Sequence, residues 1–296
     1  MPHTQSKPST VVGLSLAETE TQAVVLALEN AIPAVSAIAE WPGGVQEDPA
    51  SIVHRLLTFV TSNNVAARRI AVTLDMAALF THILPVPAGQ ADTLLHKHAH
   101  WDLAQFFPDS SEGEFITDVH LLSRSATGEG TRLLSVSVRR TFARALQDAL
   151  VAEDFALHVL DGDHFSAEHY LTSRHPDGST GSVLLVGLKR GRMDISVLQD
   201  GSLVDYRIRA ECTPEACTAI LTEGAGTRDR PRKVFLYGPR ATSNLVESLD
   251  VNGIPPIEVL NPFVGMDIAP GNPLATHFLA MPHRFVPAVG AALREE

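Results

Sequence analysis

The order of the secondary-structure signals constrains this fold most, because the same order occurs twice. Three short runs rich in β-branched and aliphatic residues come first, at Val11–Leu16, Gln22–Leu28 and Ala34–Trp41. Separated by polar turns, they predict an antiparallel meander. An amphipathic segment after the capping residue Asp48 predicts a helix, and Ile70–Leu74 predicts a further strand. The opening part of the chain therefore reads β-β-β-α-β.

The second half repeats this order without obvious sequence similarity to the first. Its meander is predicted at Val183–Leu188, Met193–Leu198 and Ser202–Ile208, with Gly191 and Gly201 in the tight connections, where glycine can adopt positive φ. The later elements are a helix at Pro214–Leu221, a strand at Lys233–Tyr237, a helix at Thr242–Leu249 and a strand at Glu258–Leu260. A duplicated topology predicts two related lobes.

The residues between the two halves break this rhythm. They predict a strand at Phe80–Val86, a helix within Gln90–Phe107, and strands at Glu114–Leu122 and Thr131–Val138. We interpret this stretch as a small inserted α+β unit. A helix at Phe142–Val151 and a strand at Ala156–Leu160 then lead into the second half.

The composition excludes several classes of partner. The 296 residues contain 34 Asp and Glu against 23 Lys and Arg, a formal net charge of −11, and such a field repels nucleic acid and anionic lipid. No segment approaches the roughly 18 consecutive apolar residues of a membrane span, so we expect a cytoplasmic protein that does not insert into a membrane. Cys212 and Cys217 fit no common zinc or redox spacing and are predicted to be free thiols.

Several longer motifs connect the chain with a known group of proteins. The motifs are ILPVP at 83–87 before a helix ending in FFP at 106–108, SVSVRRTFARALQDALVAEDFALHVLDGDHFS at 135–166, IPPIEVLNPF at 254–263 and FVPAVGAALR at 285–294. Together they resemble the PilM family of type IV pilus assembly proteins, which belongs to the actin-like (ribonuclease H-like) ATPases.

The resemblance implies an α/β, two-lobed actin-like (ribonuclease H-like) fold with a small inserted α+β subdomain. Residues 1–79 and 140–160 would form the first lobe, and residues 80–139 the inserted subdomain, called 1C in that family. Residues 161–275 would form the second lobe, and a C-terminal helix at 276–296 would return to the first lobe.

Actin-like ATPases bind phosphates and Mg²⁺ with two hairpins that each carry Asp-x-Gly, because the carboxylate organises the metal and the glycine admits backbone N–H groups. In the first hairpin, the resemblance places Ser15 at the Asp position and Ala17 at the Gly position. Gln22 stands where the family usually has Lys. We expect weak metal affinity at this hairpin.

In the second hairpin, Gly187 occupies the Asp position, Lys189 the Gly position and Met193 a Thr position. The tip gains a cation cluster that includes Arg190 and Arg192, which could hold a phosphate without metal. The metal-assisted charge neutralisation that phosphoryl transfer requires is nevertheless lost.

The adenosine-contacting Gly-Gly turn of the family corresponds here to Gly238 and Pro239. Proline fixes φ and removes an N–H, so a close backbone approach to a base is hindered. We therefore interpret the nucleotide cleft as degenerate, with no catalytic residue and no cofactor expected. Its weak candidates for binding ATP are Ser15, Gln22, Gly187, Lys189, Arg190 and Gly238.

Two His-containing stretches suggest metal chemistry. In HKHAH, His96 and His100 would share a helix face at i, i+4 and could ligate zinc, but no Cys or carboxylate supplies obvious further ligands. In DGDHFSAEHY the spacing H-x-x-x-E-H is one residue longer than the inverted zincin motif, and Asp161 or Asp163 is more simply a helix cap. We expect no metal site and keep a His-rich metal-binding regulator as a minor alternative.

The resemblance implies a cytoplasmic, non-catalytic scaffold, or pseudo-ATPase, of a type IV pilus or type II secretion-like assembly. Its partner would be the short N-terminal cytoplasmic peptide of a PilN-like bitopic protein, bound between the first lobe and the inserted unit that begins near Ile83 and Leu84. That partner would recruit it to the inner face of the inner membrane, and self-association is a further interaction left open. The alternative is an active actin-like ATPase or small-molecule kinase that uses ATP and Mg²⁺.

Overall fold

The computed structural model describes residues 9–29, 32–87, 89–110, 113–122, 131–176, 178–223, 231–249, 255–268 and 278–294. The strands, in chain order, are β1 Ser9–Leu16, β2 Glu20–Glu29, β3 Ile32–Pro42, β4 Arg69–Leu74, β5 Phe80–Val86, β6 Phe115–Leu122, β7 Thr131–Arg139, β8 Ala156–Gly162, β9 Ser182–Leu188, β10 Met193–Gln199, β11 Ser202–Arg209, β12 Lys233–Tyr237, β13 Ile257–Val259 and β14 Asp267–Ile268. The α-helices are α1 Pro49–Ser62, α2 Asp92–Phe106, α3 Arg140–Ala152, α4 Asp163–Arg174, α5 Pro214–Glu223, α6 Ser243–Ser248 and α7 Val286–Ala292. Short 3₁₀ turns lie at Met76–Ala78 and Pro282–Phe285.

The chain divides into two compact units. The first contains Met1–Asp75, Ala145–Tyr170 and Asn261–Glu296, and the second contains Met76–Arg144 and Leu171–Leu260. The lobe boundaries inferred from the resemblance stay a prediction.

A six-stranded sheet in the order β14-β3-β2-β1-β4-β8 forms the first unit. The meander β1-β2-β3 is antiparallel, whereas β4 joins β1 in parallel and β8 joins β4 in parallel. The connection between β3 and β4 is α1, which starts because the Asp48 carboxylate accepts a hydrogen bond from the Ser51 amide at 3.2 Å and Pro49 suits the first turn. Its apolar side is buried and consists of Ile52, Val53, Leu56, Phe59 and Val60.

Helix α7 packs on this sheet through two glycines. A Cβ atom at Gly13 of β1 would lie 1.9 Å from the Ala288 carbonyl oxygen, and one at Gly290 would lie 1.9 Å from the Ser166 carbonyl oxygen. All seven residues of α7 are buried. Any side chain at Gly13 or Gly290 would push α7 away from β1 or from α4.

The second unit contains two sheets. One is five-stranded, in the order β11-β10-β9-β12-β13, and its core is a continuous apolar cluster with α5 and α6. The other is three-stranded, in the order β5-β7-β6, and α2 packs on it through a small cluster of buried residues, Leu84, Val86, Leu95, Ala99 and Leu133. Arg132 of β7 forms an ion pair with Asp205 of β11 at 2.8 Å, which connects the two sheets.

The predicted α/β class, both meanders and the inserted α+β unit are confirmed. Most predicted bounds coincide with those observed or differ from them by one or two residues. The strand β14 was not predicted; it is two residues long and joins β3 in parallel. No helix among the described residues is both long enough and apolar enough to cross a membrane.

Candidate functional site

The first hairpin, formed by β1 and β2, brings two predicted site residues together. Ser15 and Gln22 are direct partners across the pair, and their exposed fractions are only 1% and 3%. The turn is closed by a hydrogen bond from the Ala17 amide to the Glu20 carbonyl at 3.0 Å. Both polar side chains therefore lie within the protein at this hairpin.

Gln22 takes part in a network of charged side chains. It hydrogen-bonds to Glu40 of β3, and the Arg284 guanidinium contacts Glu40 at 3.0 Å and Glu20 at 2.6 Å. Burial raises the pKa of Glu40, and the charge of Arg284 opposes this rise. The residue that replaces the family's Lys is thus engaged in an internal network, which the sequence analysis missed because Arg284 lies more than 200 residues away in the chain.

The tip of the first hairpin contacts a neighbouring loop of the same unit. Val45 donates its amide to the Ala17 carbonyl and Gly43 donates to Thr19, both at 2.9 Å. Gly44 lies so close that a Cβ atom there would be 1.9 Å from the Ala17 oxygen. The protein's own backbone therefore packs directly against one side of this tip.

The second hairpin, formed by β9 and β10, leaves no room for the family's Asp. Gly187 lies opposite Asp194 on β10 and beside Tyr237 on β12. A Cβ atom at Gly187 would be 2.5 Å from the Tyr237 hydroxyl oxygen, and Tyr237 is fully buried. The buried tyrosine ring occupies the space that a carboxylate side chain at position 187 would need.

The cations at the tip of the second hairpin are not equivalent. Lys189 is 8% exposed, and its Nζ lies 5.1 Å from the centre of the Tyr237 ring, a cation–π contact. Arg192 binds the fully buried Asp194 with two hydrogen bonds of 3.1 Å, from Nε and Nη2. Arg190 is exposed. Two of the three cations expected to form a phosphate-binding cluster therefore make contacts inside the hairpin region.

Gly238 closes the turn after β12 against the second hairpin. Its φ is +96°, and a Cβ atom would lie 2.7 Å from the Leu188 carbonyl oxygen. The same oxygen accepts a hydrogen bond from the Arg240 amide at 3.1 Å. Both the conformation and the close approach require glycine. Gly187, Lys189, Arg190 and Gly238 thus lie together in the second unit, whereas Ser15 and Gln22 belong to the first.

Two buried carboxylates of the first unit were not considered as a pair in the sequence analysis. Asp75 follows β4 and Asp163 follows β8, and the preceding residues Leu74 and Gly162 are partners across these parallel strands. The exposed fractions of Asp75 and Asp163 are 2% and 0%. The signal was available, because the carboxyl ends of adjacent parallel strands meet at one sheet edge, where α/β proteins build sites.

The histidine-based metal hypotheses find little structural support. His96 Nδ1 lies 3.0 Å from the carbonyl oxygen of Asp92, one turn earlier on α2. Asp161 instead accepts hydrogen bonds from Ser166 at 2.6 Å and from Arg294 at 3.1 Å. Within the described ranges, no group of three or more His, Cys, Asp or Glu side chains is arranged to hold a metal.

The three-stranded sheet ends on one side at β5, which pairs with β7 and with no other strand among the described residues. Pro85 lies opposite Arg132 of β7 and has no N–H to donate. Backbone groups alternate in direction along an antiparallel strand, so we infer that those of Thr81 and Ile83 point the same way as those of Pro85, away from β7. We call Thr81–Pro85 the β5 edge.

Large aromatic side chains lie near the start of β5. The ring centre of Phe80 is 5.0 Å from that of Phe106 on α2, and the His82 ring is 4.9 Å from the same Phe106. Phe106 is still 50% exposed, and Trp101 on α2 is 68% exposed. A strand edge with no neighbouring strand in the described part of the chain and exposed aromatic groups thus occur in the same small α+β unit, a combination suited to extended peptides.

No protein-family model and no curated protein matches the sequence. The fold matches the PilM–PilN type IV pilus biogenesis complex with a TM-score of 0.73 and 16% identity, over 98% of this chain and 99% of that chain. It also matches a protein of unknown function with an actin-like ATPase fold from Bacteroides thetaiotaomicron, at a TM-score of 0.56 and 9% identity, over 88% and 95% of the two chains.

A third match is the cytoplasmic domain of EpsL, an inner-membrane component of the type II secretion system of Vibrio cholerae. The TM-score is 0.53 and the identity 12%, over 97% of this chain and 96% of that domain. These matches confirm the fold that the sequence motifs predicted. The protein therefore has the actin-like ATPase fold, in a version similar to that of the PilM–PilN complex.

Proposed function

We propose that this protein is a non-catalytic scaffold of a type IV pilus or type II secretion-like assembly. It binds the short N-terminal cytoplasmic segment of a bitopic inner-membrane protein and is recruited by it to the inner face of that membrane. The observation that carries the proposal is the full-length fold match to the PilM–PilN complex, which covers nearly all of both chains. The strands and helices of this chain therefore have counterparts throughout that chain.

The absence of catalysis is proposed from the two hairpins. Actin-like phosphoryl transfer requires a carboxylate-organised Mg²⁺ at the phosphates. In the first hairpin the corresponding position is Ser15, and in the second it is Gly187, which Tyr237 prevents from carrying a side chain. Lys189 and Arg192 are engaged with Tyr237 and Asp194.

The proposed peptide site is the β5 edge. An extended peptide would add as a fourth strand to this sheet, and its backbone would hydrogen-bond to the N–H and C=O groups of Thr81 and Ile83. Strand addition obtains affinity from these main-chain bonds and specificity from alternate side chains. The exposed aromatic side chains on α2 suit a partner segment with apolar residues.

The peptide site is tested with fluorescein-labelled N-terminal peptides of the bitopic proteins encoded beside this gene, by fluorescence anisotropy. We expect one peptide to bind the wild type, Ile83→Ala to retain most binding because it keeps the N–H, and Ile83→Pro to lose at least about tenfold in affinity because that N–H is removed. Circular dichroism checks that both variants fold. Failure of every peptide to bind contradicts the scaffold role, whereas equal binding by Ile83→Pro moves the site away from the β5 edge.

The absence of nucleotide binding is tested by thermal unfolding with millimolar Mg-ATP. A ligand that binds only the folded state raises Tm by mass action, so we expect no shift. A reproducible rise in Tm that disappears without Mg²⁺ would support the alternative of an active ATPase or small-molecule kinase.

A further inference from the structure

Three sulfur atoms meet in the core of the second unit. Cys217 Sγ on α5 lies 3.4 Å from Met193 Sδ at the start of β10, and the thiols of Cys212 and Cys217 hydrogen-bond to each other. The exposed fractions are 0% for Met193, 4% for Cys217 and 7% for Cys212. The position where the family resemblance expects a Thr thus supplies a thioether in contact with the Cys217 thiol, which is in turn hydrogen-bonded to Cys212.

The surroundings of these sulfurs are apolar and slightly underpacked. A cavity of about 10 Å³ lies against Met193 and Cys217, and the rest of its lining is aliphatic: Val186, Leu188, Ile220, Leu221, Leu236 and Leu249. A void of this size is about one probe sphere, so the sulfurs have some freedom to adjust their positions. No nitrogen or oxygen side chain lines it.

A positive charge lies close to the two thiols. The guanidinium of Arg240 acts electrostatically on both Cys212 and Cys217. The backbone of Arg240 is held in place by its hydrogen bond to the Leu188 carbonyl. A negatively charged group formed at the thiols would therefore have a cation beside it.

We propose that Met193, Cys212 and Cys217 form a binding site for a soft monovalent cation, Cu(I). Thiolate and thioether sulfurs are the ligands that Cu(I) favours, whereas structural zinc requires four ligands. No further Cys, and no His, Asp or Glu, completes such a set around these sulfurs within the described part of the chain. This site is independent of the proposed scaffold role.

Binding exchanges protons for metal without any redox change. The Cu(I) ion displaces one proton from Cys212 and one from Cys217, and it forms two thiolate bonds and one thioether bond. Two neutral thiols and one unit of positive charge become a complex of charge −1 and two free protons. The charge of Arg240 offsets part of the cost of forming this charged complex in an apolar core.

The test is a competition for copper with the full-length, fully reduced protein. Cu(I) is supplied as its coloured complex with bicinchoninate, and loss of colour reports transfer to the protein. We expect the wild type to take up one copper per chain, and Cys212→Ser and Cys217→Ser to lose this uptake. Met193→Leu, which keeps the apolar volume, should bind at least about tenfold more weakly, since even an outer supporting group typically contributes tenfold to metal affinity.

Two controls separate metal binding from loss of structure. Met266→Leu changes another buried methionine, which lies in the first unit, and it should bind copper as the wild type does. If circular dichroism shows that Cys217→Ser does not fold, copper binding by Cys217→Ala and Met193→Leu is compared with that of the wild type instead. The proposal is overturned if the wild type takes no copper from the chelator, or if Met193→Leu and Cys212→Ser both bind as tightly as the wild type.

Discussion

Both hairpins lack the Asp-x-Gly residues that bind Mg²⁺ and phosphate in actin-like ATPases, but different interactions stabilise each of them. The first is held by a network that joins distant parts of the chain, since Gln22 meets Glu40, and Arg284 bridges Glu40 and Glu20. The second is held by neighbours in the same sheet, Tyr237 beside Gly187 and Asp194 beside Arg192. The comparison teaches that a hairpin can keep its backbone after losing its ligand chemistry, provided that other groups stabilise it.

Removing one partner of the buried ion pair should have the largest effect. Arg192→Met leaves the fully buried Asp194 carboxylate without its guanidinium, and breaking a buried pair in this way costs about 3 kcal/mol or more. The free energy of unfolding, measured in urea, is the readout. A large loss would show that the second hairpin depends on this local pair.

The neutral variant at the other partner provides the control. Asp194→Asn should cost less, because Arg192 is near enough to the surface to reach water. The double variant Arg192→Met with Asp194→Asn should recover part of the loss, because no buried charge remains. Two results together would contradict a stabilising ion pair: an equal loss of unfolding free energy in the two single variants, and a loss in the double variant equal to their sum.

The first unit should lose stability in acid because of His283, the buried residue that precedes Arg284 in the chain. Burial, assisted by the charge of Arg284, lowers the pKa of His283 to about 4. The folded state therefore prefers neutral His283, so its contribution is complete above the ordinary pKa of 6.5 and is lost as the pH falls towards 4. The loss is about 3 kcal/mol over this window.

Chemical denaturation of wild type and His283→Gln at pH 7 and pH 4 tests this expectation. The fall in unfolding free energy between the two pH values should be about 3 kcal/mol smaller in the variant. The exposed His120, replaced in the same way, should leave the fall unchanged. A parallel pH dependence of His283→Gln and wild type would be inconsistent with the lowered pKa.

Adding a methyl group at Gly187 of the second hairpin should lower the free energy of unfolding by an intermediate amount. Gly187→Ala places a Cβ atom 2.5 Å from the Tyr237 hydroxyl, and overpacking of this kind costs about 2 kcal/mol. Ser15→Ala at the first hairpin removes a buried hydroxyl without adding volume and should cost about 1 kcal/mol. Urea denaturation measures both, and a cost for Gly187→Ala no greater than that for Ser15→Ala would refute steric exclusion by Tyr237.

The smallest effect is expected from Glu40→Gln in the network of the first hairpin. Burial raises the pKa of Glu40, so the folded protein favours the protonated form of this side chain. As the pH rises and the carboxyl group loses its proton, the free energy of unfolding therefore decreases. The neutral variant should therefore be slightly more stable than wild type at pH 7, and the difference should vanish below the ordinary pKa of 4.5. Thermal unfolding across this pH range is the measurement, and a variant less stable at pH 7 would argue that the Arg284 contact outweighs burial.

The strands and helices were predictable because their signals are local. Apolar runs with tight polar turns located both meanders, and the Asp48–Pro49 pair located the start of α1. The strand β14 was not predictable, since Asp267–Ile268 is two residues long and has no period of its own. It exists because its backbone finds a partner in β3.

The candidate site was predictable only in part, for a similar reason. The substitutions at Ser15 and Gly187 are visible in the sequence, but the side chains that meet them depend on strand register. Tyr237 lies beside Gly187 because β12 joins β9 in parallel, and sequence spacing does not specify that pairing. The tip cations were predicted to share one role, whereas Asp194 and Tyr237 engage two of them.

The contact between α7 and β1 has a consequence for synthesis on the ribosome. Gly13 belongs to the first strand made, yet the backbone that packs on it, at Ala288, is translated some 275 residues later. All segments of the second unit have been translated by Leu260. The strands on which α7 packs must therefore remain without this cover while the rest of the protein is made, and this interval is when a chaperone would be most useful to them.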